Sequence, residues 1–143
     1  MRFSVNCFLV AVLILTSFQP AFSQKGYKVK TIVIDAGHGG NKPGAVGSFS
    51  KEKDVALEVA LKLGKKLEEE MPDVKILYTR KTDVDVEFHK RAALANDNKA
   101  DLFISVHCNS MPRGNRVTKG TETFVAGMHR LNEQDVAIRE NAD

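Results

Sequence analysis

Cysteine, proline and aromatic side chains are all scarce in this chain of 143 residues, which has two Cys, four Pro, no Trp and an aromatic content of 7%. Two cysteines, Cys7 and Cys108, cannot build a disulfide framework. A dominant charge is missing too: Lys plus Arg exceed Asp plus Glu by only 21 to 18, and so scattered a surplus excludes the clustered basic stripe of a nucleic-acid surface. No apolar run reaches the roughly 20 residues of a membrane span, and the chain holds no internal repeat or low-complexity linker. With 43% hydrophobic and 27% charged residues, what remains is one ordinary globular domain around a single core.

What is present begins with an export signal. Arg2 precedes nine uninterrupted apolar residues, Cys7 to Leu15, and Ala21-Phe22-Ser23 supplies the small-x-small pattern at which signal peptidases cut. This order predicts a signal peptide over residues 1–23, a domain over 24–143, and localisation to the periplasm or cell envelope. Cleavage removes Cys7 and leaves Cys108 as a lone thiol. With no base identifiable beside it, Cys108 reads as a small buried hydrophobe rather than a nucleophile, and no disulfide is expected.

The rest alternates between two periodicities. Lys30 to Ile34 is a β-branched run ending at Asp35, apolar enough for a strand covered on both faces. Gly37, Gly39, Gly40, Pro43, Gly44 and Gly47 then forbid a regular element up to Lys51, and a connection of that length inside a compact domain is usually functional. From Glu52 to about Glu70, Val55, Val59, Leu63 and Leu67 recur at helical spacing, with Ala56, Ala60 and Leu61 beside them, and Pro72 closes the helix. Val74–Tyr78 reads as a second strand, Asp85–Asn98 as a helix with the stripe Phe88, Ala92 and Ala95, and Leu102–His107 as a third strand. Thr121–Ala126 follows as a fourth strand and Asn132–Ala142 as the start of a helix. The fold class is therefore α/β, a mostly parallel sheet with helices on both faces. The last helix has no C-cap glycine or closing strand before Asp143, so the expected extent is the N-terminal portion of a larger domain.

Ligands of open α/β sheets sit outside the carboxyl ends of the strands. His38 follows the first strand and His107 ends the third, so both imidazoles reach one crevice. His89, among Glu87, Lys90 and Arg91, and His129, in a turn after Gly127, read as solvated. Two neutral imidazoles at one rim suit zinc, which also takes a carboxylate. The acidic candidates are Glu52, at the first turn of a helix whose dipole favours the ionised form, and Asp35, which could instead orient an imidazole. Glu52 could equally be a surface residue complementing the helix dipole behind a Ser50 cap. Cys108 should point away from His107, because successive strand residues face opposite sides. Gly37-His38-Gly39-Gly40 has neither the spacing of a dinucleotide site nor the Gly-Lys-Ser/Thr of a P-loop.

These residues lie in a longer series of motifs. They are Ile34-Asp35-Ala36-Gly37-His38-Gly39-Gly40, Gly44-Ala45-Val46-Gly47 leading to Glu52-Lys53-Asp54-Val55-Ala56-Leu57, Tyr78-Thr79-Arg80, Arg91-Ala92 with Ala95-Asn96, Ala100 to Asn109, and Gly120-Thr121-Glu122-Thr123. In this order they resemble the zinc-dependent N-acetylmuramoyl-L-alanine amidases of the AmiC and CwlV type, the Amidase_3 family of cell-wall hydrolases. The resemblance implies a mixed sheet flanked by helices, of the phosphorylase/hydrolase-like kind, and zinc ligands at His38, Glu52 and His107. It also implies peptidoglycan as partner and hydrolysis of the amide joining N-acetylmuramic acid to L-alanine.

The family's general base is a second glutamate on a late strand, expected beyond Asp143; Glu122 and Glu140 do not stand in its motif. Losing such a group costs a factor of about 100 to 10,000 in rate. The alternative expectation is therefore a noncatalytic fragment that binds zinc or the wall, and a weaker one is another zinc hydrolase, such as a carboxypeptidase, on the same sheet edge.

Overall fold

A computed structural model of the chain describes residues 26–109 and 120–125. The expected signal peptide, His129 and the helix expected over Asn132–Ala142 lie outside the described residues. Five elements alternate: β1 (Thr31–Ala36), α1 (Glu52–Glu70), β2 (Lys75–Tyr78), α2 (Phe88–Asp97) and β3 (Leu102–Val106). The strands form one parallel sheet in the order β2-β1-β3. The chain thus crosses from β1 to one neighbour and returns to the other side. Right-handed crossovers in opposite directions put the two connecting helices on opposite faces and open a crevice where the order reverses, at the carboxyl ends of β1 and β3.

Alternation along β1 sorts its side chains accordingly. Ile32, Ile34 and Ala36 form the apolar core with Ala60 of α1 and Val74, flanked by Leu57, Leu63 and Leu67. On the other face Asp35, 1% exposed, accepts hydrogen bonds from Thr79 Oγ1, Arg91 Nη1 and Ser105 Oγ, each at 2.7 Å. One carboxylate therefore ties together the exit of β2, helix α2 and strand β3.

Helix α1 begins and ends where expected, whereas α2 starts at Phe88, three residues after the expected Asp85, and the inward faces of both differ from the expected stripes. In α1 the buried row is Glu52, Ala56, Ala60 and Gly64, while Val55 and Val59 are exposed. The reason is clearance: a Cβ on Gly64 would lie 2.4 Å from ring carbons of Tyr78, so this row must be small for helix and sheet to meet. In α2 the buried residue is Arg91, with Phe88 and Ala92 exposed. The attraction of Asp35 and of neighbouring carbonyls outweighs hydrophobicity in choosing that face. Thr121–Val125 forms no regular element and pairs with none of the three strands, so the expected fourth strand is absent among the described residues; without a ladder to join, its Phe124 and Val125 stay exposed.

Removing one member of a buried ion pair leaves the other uncompensated, at a cost of about 3–5 kcal/mol. Asp35→Ala is expected to lose stability on that scale in urea unfolding, and a midpoint equal to the wild type's would show that the pair contributes nothing.

Candidate metal centre

The strand register builds the site. Ala36 pairs with Val106, and the Gly37 N–H continues the ladder to the Val106 carbonyl at 3.0 Å. The next residues on the two strands, His38 and His107, are thereby brought to one edge, their rings meeting edge to face with centroids 5.0 Å apart. Gly37 has to lack a side chain: a Cβ there would lie 2.4 Å from the His107 ring. Gly44 is confined twice over, by φ of +65° and by contacts of 2.6 Å that a Cβ would make with Glu52 Oε2 and the His38 ring. His38 itself adopts φ of 57°, a left-handed conformation that costs a non-glycine residue on the order of 1–3 kcal/mol.

Glu52 arrives from the other direction, at the first residue of α1. Its helix starts behind Lys51, whose side chain makes no cap; Ser50 does not serve as the cap either. Instead the looping chain satisfies the first amides: the Glu52 and Lys53 N–H groups donate to the carbonyls of Ala45 at 2.8 Å and Pro43 at 3.1 Å. The Glu52 side chain is only 4% exposed, which excludes the surface role that spacing left open. Its Oε2 accepts from the Ala45 N–H at 2.8 Å and its Oε1 from the Cys108 N–H at 2.8 Å. Oε1 also lies 3.1 Å from His107 Nδ1 and 3.3 Å from His38 Nε2.

Burial pushes the Glu52 pKa up, but the His107 hydrogen bond, the two backbone N–H groups and the charge of His38 outweigh it and lower the pKa to about 2. The group is an anion at any physiological pH.

One donor atom from each of His38, Glu52 and His107 lies within 4.8 Å of the other two. His107 Nε2 is buried without a hydrogen-bond partner, although buried polar groups are almost always paired. Two imidazole nitrogens and a carboxylate oxygen form a donor set suited to a divalent ion, and the unpartnered nitrogen fits a place for one. Asp35, the other acidic candidate, lies on the opposite face of β1, held by Arg91, and orients neither imidazole through a hydrogen bond. Cys108 serves through its backbone; burial and then the Glu52 charge push its thiol pKa up, against any role as a nucleophile. His89 is exposed beside Glu87, as its solvated reading requires.

Residues 32–141 match the Amidase_3 family, N-acetylmuramoyl-L-alanine amidase. The chain belongs to this family. It is 43% identical over 95 residues to the endolysin of Bacillus phage SPP1, covering 66% of this chain and 33% of that protein. Over 104 residues it is 38% identical to the N-acetylmuramoyl-L-alanine amidase AmiC of Escherichia coli, covering 66% of this chain and 25% of AmiC. Its fold resembles the catalytic domain of the N-acetylmuramoyl-L-alanine amidase CwlV from Bacillus (Paenibacillus) polymyxa, with a TM-score of 0.57 and 37% identity over 62% of this chain and 49% of that domain. The chain thus spans between a quarter and about half the length of the curated relatives it matches. None of its described helices is long and apolar enough to cross a membrane.

Within this amidase-family site, sequence motifs marked Arg80 and Arg91 only as matching positions and assigned them no task. Both are buried and turned towards main-chain carbonyls. An arginine in a polar motif is ordinarily read as solvated; the signal available beforehand was the place of both arginines within the matched stretches.

A lowered native pKa has a defined stability signature. Between the ordinary value of 4.5 and about 2, the unfolded Glu52 carboxyl takes up a proton that the folded one refuses, so metal-free protein loses stability as pH falls through that window. Glu52→Gln is expected to flatten this part of the acid unfolding curve, and an unchanged slope would contradict the assigned pKa.

Proposed function

We propose that His38, Glu52 and His107 hold a zinc ion and that the chain acts, as part of an N-acetylmuramoyl-L-alanine amidase, on peptidoglycan in the cell envelope. The bond hydrolysed is the amide between the lactyl group of N-acetylmuramic acid and L-alanine. The observation that carries the reading is the buried trio itself, an ionised carboxylate facing two imidazoles with one ring nitrogen left unpartnered. Two His and one Glu make a donor set of catalytic zinc sites, which keep a further position open. Zinc bound there would supply Lewis acidity, activating water and polarising the scissile carbonyl.

The chain's own residues prepare that site in three ways. Glu52 offers a carboxylate that stays ionised without competing protonation, as a metal ligand must. The backbone N–H groups of Ala45 and Cys108 fix its two oxygens. Gly37 and Gly44 leave the room that a β-carbon would fill between the three ligands. Glu52 is fully engaged in this way, so accepting the water's proton and passing it to the leaving amine falls to another carboxylate. The resemblance gives that task to a second glutamate, whose motif has no match in this sequence.

Residues 1–23 support export as a signal peptide, with residues 24–143 as the amidase portion. A second reading uses the same trio to bind zinc or wall glycan without turnover.

Purified protein is expected to carry about one equivalent of zinc, and His107→Ala to lose it; full occupancy in the variant would refute the ligand assignment. Dye-labelled peptidoglycan separates the two readings, because chelator-sensitive release demonstrates turnover, whereas retention on the wall without release demonstrates binding alone. Mass analysis of released fragments identifies the bond: a free L-alanine amine marks an amidase, and a shortened stem peptide marks a carboxypeptidase.

A further inference from the structure

Arg80 and Arg91 are buried, 3% and 6% exposed, and burying a guanidinium is costly unless its N–H groups are used. Here they are used on the main chain of the segment that carries His38. Arg80 Nε and Arg91 Nη1 both donate to the Ala36 carbonyl, at 2.9 and 2.7 Å. Arg80 Nη2 donates to the Gly37 carbonyl at 2.8 Å, and Arg91 Nη2 to the His38 carbonyl at 2.9 Å. Three successive carbonyls are therefore gripped through the stretch in which His38 takes its left-handed conformation. Arg80 Nη2 also donates to the Lys53 carbonyl at 2.7 Å, one residue beyond Glu52. A single nitrogen thus joins the loop bearing His38 to the first turn of the helix bearing Glu52.

We propose that Arg80, assisted by Arg91, is a positioning residue for the metal site, setting the separation of His38 from Glu52 through the carbonyls beside them. The inference rests on reading the trio as a metal site. Its physical basis is the fork of the guanidinium: a planar group with five fixed donors can bridge two chain segments at once. A lysine keeps the charge but, as a compact point charge on a flexible stem, cannot hold the same set of carbonyls. The indirect partners of metal ligands typically govern affinity by about 10- to 100-fold.

The test compares the purified wild type with Arg80→Lys and, as a stability control, Val74→Ala. Val74 is a buried core residue just before β2, at the opposite end of the strands from the trio. Zinc affinity is measured by competition with a chromophoric chelator, and site geometry by the visible absorption of the cobalt-substituted protein. Arg80→Lys is expected to weaken zinc binding by about 10- to 100-fold and to alter the cobalt spectrum, while Val74→Ala lowers the melting temperature and leaves both at wild-type values. A folded Arg80→Lys with wild-type affinity and spectrum would overturn the proposal, as would equal weakening in Val74→Ala. Should Arg80→Lys not fold, Arg91→Lys, which loosens the grip on Ala36 and His38, carries the same measurements and the same criteria. A wild type that takes up no metal overturns the metal reading itself, whereas metal uptake unchanged by either arginine variant overturns this inference alone.

Discussion

An ionised carboxylate can be buried only if donors replace the water it leaves behind, and the geometry around Glu52 follows from that demand. Its donors come from separate parts of the chain: the Ala45 N–H from the glycine-rich loop, and the Cys108 N–H and His107 ring from the exit of β3. The start of α1 adds the favourable end of the helix dipole. Satisfying one oxygen pair therefore pins a loop, a helix terminus and a strand exit to a common point. His38 is carried to the same point because the loop must close onto the helix it caps with the carbonyls of Pro43 and Ala45. Charge compensation at Glu52 and assembly of the His38–Glu52–His107 trio are one arrangement seen from two sides.

Strand β1 divides the domain into two regimes. One face is apolar and takes a helix whose contact row is small enough for close approach. The other carries the fully buried Val33 and, beyond it, Asp35, around which the packing is polar, with Arg91 inserted where a hydrophobic residue would ordinarily be found. The two regimes meet at the carboxyl end of β1, where Arg80 and Arg91 share the Ala36 carbonyl. The polar face thus reaches the His38–Glu52–His107 trio through hydrogen bonds to the backbone, with none of its charged side chains among the three proposed ligands.

Much of this was legible beforehand, and the failures have a common cause. The order of elements followed from periodicity and from glycine and proline placement, because these report local backbone preference. Inward faces were harder. Val55 and Val59 are more hydrophobic than Ala56, Ala60 and Gly64, yet the smaller residues face the sheet, since Tyr78 leaves no clearance for more. Arg91 displaced the Phe88, Ala92 and Ala95 stripe because a carboxylate and carbonyls awaited it across the interface. In both helices the deciding partner lies on another element, invisible to a pattern read along one segment.

Fold class, element order and the placement of His38 and His107 at one sheet edge were determined by sequence alone, because strand ends and loop residues are local properties and parallel topology follows from their alternation. Spacing left both Glu52 and Asp35 open as the third ligand, and the family resemblance pointed to Glu52. Tertiary structure separated them by putting adjacent strand faces to different uses, one carboxylate entering the crevice from a helix start and the other closing a salt bridge behind the sheet. That choice depends on distances between residues far apart in the chain, which only the folded polypeptide defines.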